Sequence, residues 1–185
     1  MSDDLFDHRS IDGVTSLANT ATFGDRLRQA LTRDDRNANG VALLLLDIDD
    51  FSSINQQYRY TRGNAVLLET AYRIVDCVRK QDTVARVGGN TFAVIFESIS
   101  KIETLQQKVL QITQRLSEPY ALGGTELELF VSIGAGLRAE LAGCASAAFV
   151  DCVEQALLSA KKLGGNCVQY ASLPAEKRTL EQQAV

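Results

Sequence analysis

The 185-residue chain contains no tryptophan, one histidine, two prolines and four cysteines, and it has no excess of basic residues. Its formal net charge of −4 argues against a nucleic-acid duplex as the main partner, because neutralising phosphates requires a basic face. A nucleotide is not excluded, since it needs only a local cluster of residues. The cysteines are scattered and form no Cys-x-x-Cys pair, so reduced thiols are expected rather than a zinc site or a disulfide framework.

Long apolar runs are also missing from the chain. No segment approaches the roughly 20 apolar residues of a membrane-spanning helix, and the N-terminal sequence MSDDLFDHRS does not resemble a signal peptide. We therefore expect a cytoplasmic protein without a membrane segment of its own, which is compatible with its being the cytosolic part of a larger protein. The length and the apolar fraction of 45% predict one domain with a sizeable core. The polar residues at 1–11 predict an N-terminal arm, the domain is placed at 12–172, and the charged residues at 173–185 predict a tail or linker.

The stretch DTVARVGGNTFAVIFE at 82–97 has the pattern of a β-hairpin. Two apolar runs, at 83–87 and 91–96, flank a tight turn at Gly88 and Gly89, where glycine tolerates a positive φ. Asn90 and Thr91 follow the turn, and this is where chemistry is expected. Neither residue is a carboxylate.

The rest of the chain predicts alternating helices and strands. The run VALLLL at 41–46 is apolar on both faces, so it predicts a central buried strand that ends at Asp47. Together with the other elements this gives an α+β fold, in which helices pack on a mixed sheet of about five strands. The other predictions are helices at 20–31, 51–58, 65–78, 101–116 and 145–163, strands at 125–137 and 167–170, a loop at 32–40 and a polar turn at 60–64.

Five stretches resemble, in order and spacing, the motifs of the GGDEF family of diguanylate cyclases. Each stretch is a weak signal alone, but together they cover nearly the whole chain. They are DGVTSLANTATF at 12–23, DIDDFSSINQQYRYTRGN at 47–64, RVGGNTF at 86–92, VSIG at 131–134 and ALLSAKKLGGN at 156–166.

The resemblance implies the family's fold, which is related to adenylate cyclases and has a ferredoxin-like core. It also implies phosphoryl transfer, since active members condense two GTP molecules into cyclic di-GMP across a dimer with two divalent metals. By resemblance, Asp47, the carbonyl of Ile48 and the first acidic residue of the signature hold those metals. In this chain that acidic position is Asn90, and the next acidic position is Thr91. Two carboxylates are therefore missing from one site.

Other departures from the family pattern point the same way. The lysine that steadies the phosphate is Ser52, the aspartate that contacts guanine is Asn64, and the histidine of the same motif is Tyr60. The paired arginines of the opening motif are Thr20 and Ala21, and the arginine after the last lysine is Gly165. We interpret the chain as a degenerate domain with no catalytic residue and no resident metal or other cofactor.

Some of the nucleotide-binding positions are retained. Asn55 stands at a guanine-contacting position and Lys161 at a phosphate-contacting one. Each retained residue also has a structural interpretation, as a turn residue at a strand end, an amide at a helix end or a solvated lysine. The vestigial nucleotide site predicted from the resemblance consists of Asp47, Ile48, Asn55, Asn64, Asn90 and Lys161.

A second motif matches the family's inhibitory R-x-x-D, which binds the product cyclic di-GMP. Arg79 and Asp82 stand at the corresponding distance before Gly88. An arginine fork suits a phosphate oxygen or the Hoogsteen edge of guanine, and an aspartate accepts from the guanine N–H groups. The alternative is an arginine favoured by a helix C-terminus, with the aspartate beginning a loop.

These observations lead to three hypotheses of function. The first is a regulatory module without cyclase activity that binds cyclic di-GMP at Arg79 and Asp82. The second is a dimerisation or GTP-sensing domain, forming a homodimer or acting on a neighbouring sensor or EAL-type phosphodiesterase. The third, a residual cyclase with atypical metal ligation, is the least favoured because the signature lacks both carboxylates.

Overall fold

The computed structural model describes residues 10–122, 124–141 and 146–172, with the side chains of 57–61, 122, 125 and 146 left out. Within these ranges, four helices and seven strands fold into one main sheet, one small hairpin and two helical layers. Along the chain they are α1 (Thr20–Asn37), β1 (Val41–Ile48), α2 (Phe51–Asp76), β2 (Thr83–Arg86), β3 (Thr91–Glu97), α3 (Ile102–Leu116), β4 (Tyr120–Leu122), β5 (Thr125–Leu127), β6 (Val131–Leu137), a 3-10 turn (Arg138–Leu141), α4 (Ser146–Lys162) and β7 (Val168–Tyr170).

The main sheet has five strands in the order β2-β3-β1-β6-β7. The central strand β1 runs antiparallel to both β3 and β6, and all eight of its residues are buried. The edge strand β7 is parallel to β6, because α4 carries the chain back across the sheet. This arrangement confirms the predicted α+β fold and the five-stranded mixed sheet.

The two faces of β1 belong to two separate cores. Leu44 and Leu46 face one layer, where α2 and α3 pack, while Leu43 and Leu45 face the layer formed by α1 and α4. This alternation follows from the two-residue period of a strand. Burying each of these leucines contributes about 1.5–3 kcal/mol to folding, so the continuous apolar run holds both layers to the sheet.

Helix α1 extends further than predicted. It begins after Asn19, whose side chain accepts the Thr22 N–H at 3.0 Å, and it continues to Asn37. The predicted loop at 32–40 is therefore wrong for residues 32–37. Polar residues in this part of the helix face water, and the helix ends at Ala38, which adopts a left-handed conformation and donates to Asp34 O.

Helix α2 is continuous, so the polar turn predicted at 60–64 is wrong, and the helices predicted at 51–58 and 65–78 are two parts of one helix that ends at Asp76. The Gly63 that suggested a turn is buried inside the helix. A Cβ at this position would lie 1.9 Å from Asn55 Oδ1. The glycine therefore leaves room for the amide of Asn55, which lies earlier in the same helix, rather than turning the chain.

The predicted strand at 125–137 is two strands. β5 pairs with β4 in a separate hairpin that the sequence did not suggest, and β6 joins the main sheet after a break at residues 128–130. The predicted β2–β3 hairpin is confirmed within one residue at each boundary. Its glycines are different from expectation, because neither Gly88 nor Gly89 has a positive φ.

The predicted boundaries of α3 and β7 are each correct within one residue. The predicted first residue of α4, Ala145, lies outside the described residues. Residues 1–9 of the predicted arm and the tail at 173–185 also lie outside them, so these domain boundaries stay predictions. None of the helices in the described segments is both long and apolar enough to span a bilayer.

Candidate functional site

A cavity of about 790 Å³ opens at the carboxyl end of β1. The beginning of α2, the β2–β3 turn and the end of α4 form its walls. All six residues of the predicted nucleotide site line it, although they come from distant parts of the sequence. They are Asp47, Ile48, Asn55, Asn64, Asn90 and Lys161.

Asp47 lies at the centre of this cavity wall and is 6% exposed. Its Oδ1 accepts from Asn90 Nδ2 and from Lys161 Nζ, both at 2.8 Å. Its Oδ2 accepts from Thr91 Oγ1 at 2.8 Å. The register of the sheet explains the last contact, because Asp47 on β1 lies opposite Thr91 on β3. The buried carboxylate is thus hydrogen-bonded on both oxygens by the protein itself.

The amide of Asn90 bridges two acceptors. Besides Asp47 Oδ1, its Nδ2 donates to the backbone carbonyl of Ile48 at 2.8 Å. The backbone of Asn90 also accepts the Ile48 N–H at 3.2 Å, which fixes the turn against the strand end. Since both neighbours are acceptors, only a side chain with two N–H groups satisfies them together. An aspartate or glutamate at this position has neither donor when ionised.

Two further carboxylates belong to the same end of the sheet. Asp49 accepts from Ser132 Oγ and from the Asn166 N–H, both at 2.8 Å. Asp50 is exposed, adopts a left-handed conformation at the position before α2, and makes no side-chain cap to that helix. The cavity therefore combines three carboxylates with the two cations Lys161 and Arg86.

Arg86 connects the hairpin turn to the N-terminal loop. Its Nη1 donates to both oxygens of Asp12 at 3.0 Å, and its Nε donates to Gly89 O at 3.2 Å. Burial acts to raise the pKa of Asp12, but hydrogen bonds from Thr15 and the Arg86 guanidinium outweigh it, so the pKa is lowered. No role was predicted for this pair from the sequence, although both residues stand in family motifs.

The remaining predicted residues differ in how far they enter the cavity. Asn55 is half-buried beside Gly63, whereas Asn64 is exposed, and Ser52 lines the cavity near the beginning of α2. Thr20, which stands where the family pattern has an arginine, donates to the Val87 carbonyl at 3.2 Å and so lies beside the hairpin. The side chain of Tyr60 lies outside the described residues.

Arg79 and Asp82 line a second, smaller cavity of about 400 Å³, separate from the first. Leu17, Val75 and Val84 form an apolar wall beside them. The side chain of Arg79 is exposed, and none of the hydrogen bonds or ion pairs within the described segments involves its guanidinium. The positively charged guanidinium of Arg79 therefore lies at the edge of a partly apolar groove, without a partner among the described residues.

Asp82 is fixed by the backbone around it. Its Oδ2 accepts the Arg79 N–H at 2.9 Å, and its Oδ1 accepts the Glu97 N–H at 3.2 Å. Each carboxylate oxygen keeps a further lone pair for a ligand. Because α2 ends at Asp76, Arg79 lies three residues beyond the end of the helix.

Comparison with known proteins agrees with this geometry. The family model described as "Diguanylate cyclase, GGDEF domain" matches residues 9–167. The chain is 36% identical over 128 residues to the bifunctional diguanylate cyclase/cyclic di-GMP phosphodiesterase MucR of Pseudomonas aeruginosa, covering 68% of this chain and 18% of MucR. It is 30% identical over 173 residues to the diguanylate cyclase TpbB of the same species, covering 93% of this chain and 39% of TpbB.

Solved structures show the same fold. The GGDEF domain of TpbB superposes with a TM-score of 0.84 at 30% identity, covering 92% of this chain and 99% of that one. The GGDEF domain of DgcB from Caulobacter crescentus, in complex with c-di-GMP, gives a TM-score of 0.81 at 26% identity, covering 92% and 97%. The chain spans less than half of the length of the two curated relatives, but nearly the whole of these isolated domains. On its sequence, its cavity and its fold, the chain belongs to the GGDEF family of diguanylate cyclase domains.

Proposed function

We propose that this chain is a catalytically inactive GGDEF domain that acts as a regulatory module in bacterial cyclic di-GMP signalling. In this proposal it binds cyclic di-GMP at Arg79 and Asp82 and forms no product. The observation that carries the proposal is the amide of Asn90, which donates to both Asp47 and the Ile48 carbonyl.

The side chains around Asp47 do not fit the two divalent metals that the family's reaction uses. Mg²⁺ prefers carboxylate, phosphate and water oxygens in octahedral geometry. Among the described residues, Asp47 is the one carboxylate within hydrogen-bonding distance of Asn90, and a lysine ammonium lies 2.8 Å from it. Thr91 offers a neutral hydroxyl that already donates to Asp47. We therefore derive no catalytic step for this chain.

The exposure of Arg79 supports the binding part of the proposal. A guanidinium without a partner in the described part of the chain suits a phosphate or a guanine edge, and the fixed carboxylate of Asp82 suits the guanine N–H groups. The apolar wall of Val75 and Val84 offers a surface for the rest of a planar base. The complex of the similar DgcB domain with c-di-GMP is consistent with such a ligand.

Calorimetric titration with cyclic di-GMP tests this site. We expect wild-type protein to bind with a dissociation constant in the tens of micromolar or tighter, about −6 to −7 kcal/mol. Arg79→Ala should lose at least tenfold in affinity, while Lys162→Ala, which changes an exposed lysine of α4 that does not line this cavity, should bind like wild type. A wild-type protein that releases no heat with the ligand refutes the proposed site.

The second candidate function is a dimerisation or GTP-sensing domain that acts on a neighbouring phosphodiesterase. The length of the curated relatives and the double activity named for MucR favour it, because MucR has room for further domains. Titration with GTP and Mg²⁺ and sedimentation at several protein concentrations test this candidate. Three free cysteines among the described residues are consistent with a cytoplasmic location in either case.

A further inference from the structure

We propose that Asn90 and Lys161 together take the place of a divalent cation in the cavity at the end of β1, so that this cavity excludes divalent metals. The inference deepens the proposed loss of catalysis and rests on it. It assigns the exclusion of the metal to the side chains of Asn90 and Lys161, and it predicts that a divalent metal binds when both are replaced.

Three oxygens would be the natural ligands of a cation here, namely both carboxylate oxygens of Asp47 and the carbonyl of Ile48. All three already accept hydrogen bonds from side chains, at 2.8 Å in every case. Asn90 contributes two of these hydrogen bonds, and Lys161 and Thr91 contribute one each. A metal has to displace these donors before it reaches the oxygens, and the displaced groups then need new partners.

The ammonium of Lys161 adds a charge barrier. Its Nζ lies 2.8 Å from Asp47 Oδ1, and a divalent ion bound to the same oxygen would lie about 2.0–2.6 Å from that oxygen. Two cations on one carboxylate oxygen repel each other strongly in a site as buried as Asp47. Lys161 thus supplies the positive charge that the buried carboxylate requires, without a bound ion.

The two residues act in different ways, so both are needed. The side chain of Lys161 is 40% exposed, which lets it move into water when a competing cation arrives. Asn90 is held on both sides by Asp47 and Ile48 and has no such freedom. Replacing Asn90 by aspartate turns two donors into acceptors, and replacing Lys161 by methionine removes the internal charge. The double change leaves two carboxylates and a carbonyl facing one point.

Titration with Mn²⁺ alone, followed by the paramagnetic resonance signal of the free ion, tests the inference. Asp47→Asn measures the background from surface carboxylates. We expect wild type and Asp47→Asn to bind the same amount, and Asn90→Asp/Lys161→Met to bind one additional ion. Lys162→Met, which changes the next lysine of α4, should behave like wild type. Thermal unfolding of each variant confirms that it is folded.

Two results overturn the inference. One is a wild-type protein that binds one more Mn²⁺ than Asp47→Asn, because the cavity then admits the metal despite both side chains. The other is a folded double variant that binds no more Mn²⁺ than wild type, because Asn90 and Lys161 are then not what excludes it. Either failure is separable from failure of the proposed function, since cyclic di-GMP binding is measured at Arg79 in a different cavity.

Discussion

The side-chain nitrogen of Asn90 lies 2.8 Å from Asp47 Oδ1, and this hydrogen bond joins the hairpin turn to the central strand. In the family's pattern both positions are acidic. Here an amide donor and a carboxylate acceptor satisfy each other where the family pattern has two like charges. This difference is the basis of the proposed loss of catalysis.

The first prediction concerns this contact. Asn90→Asp should destabilise the protein by about 1–3 kcal/mol at neutral pH, because two hydrogen bonds are lost and a second carboxylate is placed beside Asp47. Urea denaturation measures the change in the free energy of unfolding. Asn64→Asp, at an exposed position of the same cavity, is the matched control and should change it by less than about 0.5 kcal/mol. Equal effects of the two substitutions would contradict the assigned role of Asn90.

The second prediction concerns pH and the pair of Asp12 and Arg86. The pKa of Asp12 is lowered from its ordinary value of 3.8, so its contribution to stability is complete above pH 3.8 and is lost as the pH falls through the lower, folded-state value. Asp12→Asn should therefore be less stable than wild type at pH 6, and the difference should shrink below pH 3.8. Denaturation curves of both proteins across this range measure it, and a difference independent of pH would contradict the pairing.

The third prediction concerns Arg73 of α2, which is 4% exposed and contacts the end of α3. Its guanidinium donates to the carbonyls of Arg115, Glu118 and Pro119 and lies 3.8 Å from the ring of Tyr120. Arg73→Met should cost about 1–3 kcal/mol, since three backbone carbonyls lose a charged hydrogen-bond donor.

Arg28 provides the control for Arg73. It also forms an ion pair on a helix, with Asp25, but both side chains are more than half exposed. Arg28→Met should change the free energy of unfolding by less than about 0.5 kcal/mol. Chemical denaturation of the two variants in parallel measures the contrast, and similar small losses at both positions would show that the Arg73 contacts add little stability.

The fourth prediction concerns the close approach of α4 to the sheet. A Cβ at Gly134 would lie 2.4 Å from the Leu157 backbone nitrogen and 2.5 Å from the Val153 carbonyl oxygen. Gly134→Ala should destabilise the protein by about 1–3 kcal/mol or more, because the helix has to move away from β6. Gly13→Ala is the control and should leave the melting temperature nearly unchanged, because a Cβ at Gly13 would have no atom within 4 Å apart from its chain neighbours.

The sheet was predictable because its central strand has an unambiguous pattern. VALLLL is apolar on both faces, and only a strand between two helical layers buries it completely. Helix α2 was not predictable as one element, since Gly63 and the polar residues around it are typical of a turn. Its glycine is explained only by the neighbouring side chain of Asn55, which a local pattern does not contain.

The site was predictable in its membership but not in its contacts. The motifs brought Asp47, Asn90 and Lys161 together, and the structure places all three on one cavity. That Asn90 donates to two acceptors depends on the turn geometry and on the register that sets Asp47 opposite Thr91. Sequence spacing carries no information on either, so the loss of two carboxylates was predictable and their replacement by a closed hydrogen-bond network was not.

Product formation from GTP tests the central claim most directly. Purified protein incubated with GTP and Mg²⁺ or Mn²⁺, with nucleotides separated by chromatography, should yield no cyclic di-GMP above the level of the folded Asp47→Asn variant. By resemblance to the family, the metals of that reaction would bind at Asp47 and the Ile48 carbonyl, which accept hydrogen bonds from Asn90, Thr91 and Lys161. Cyclic di-GMP that accumulates with wild type and is absent with Asp47→Asn would contradict the account and identify the chain as an active cyclase.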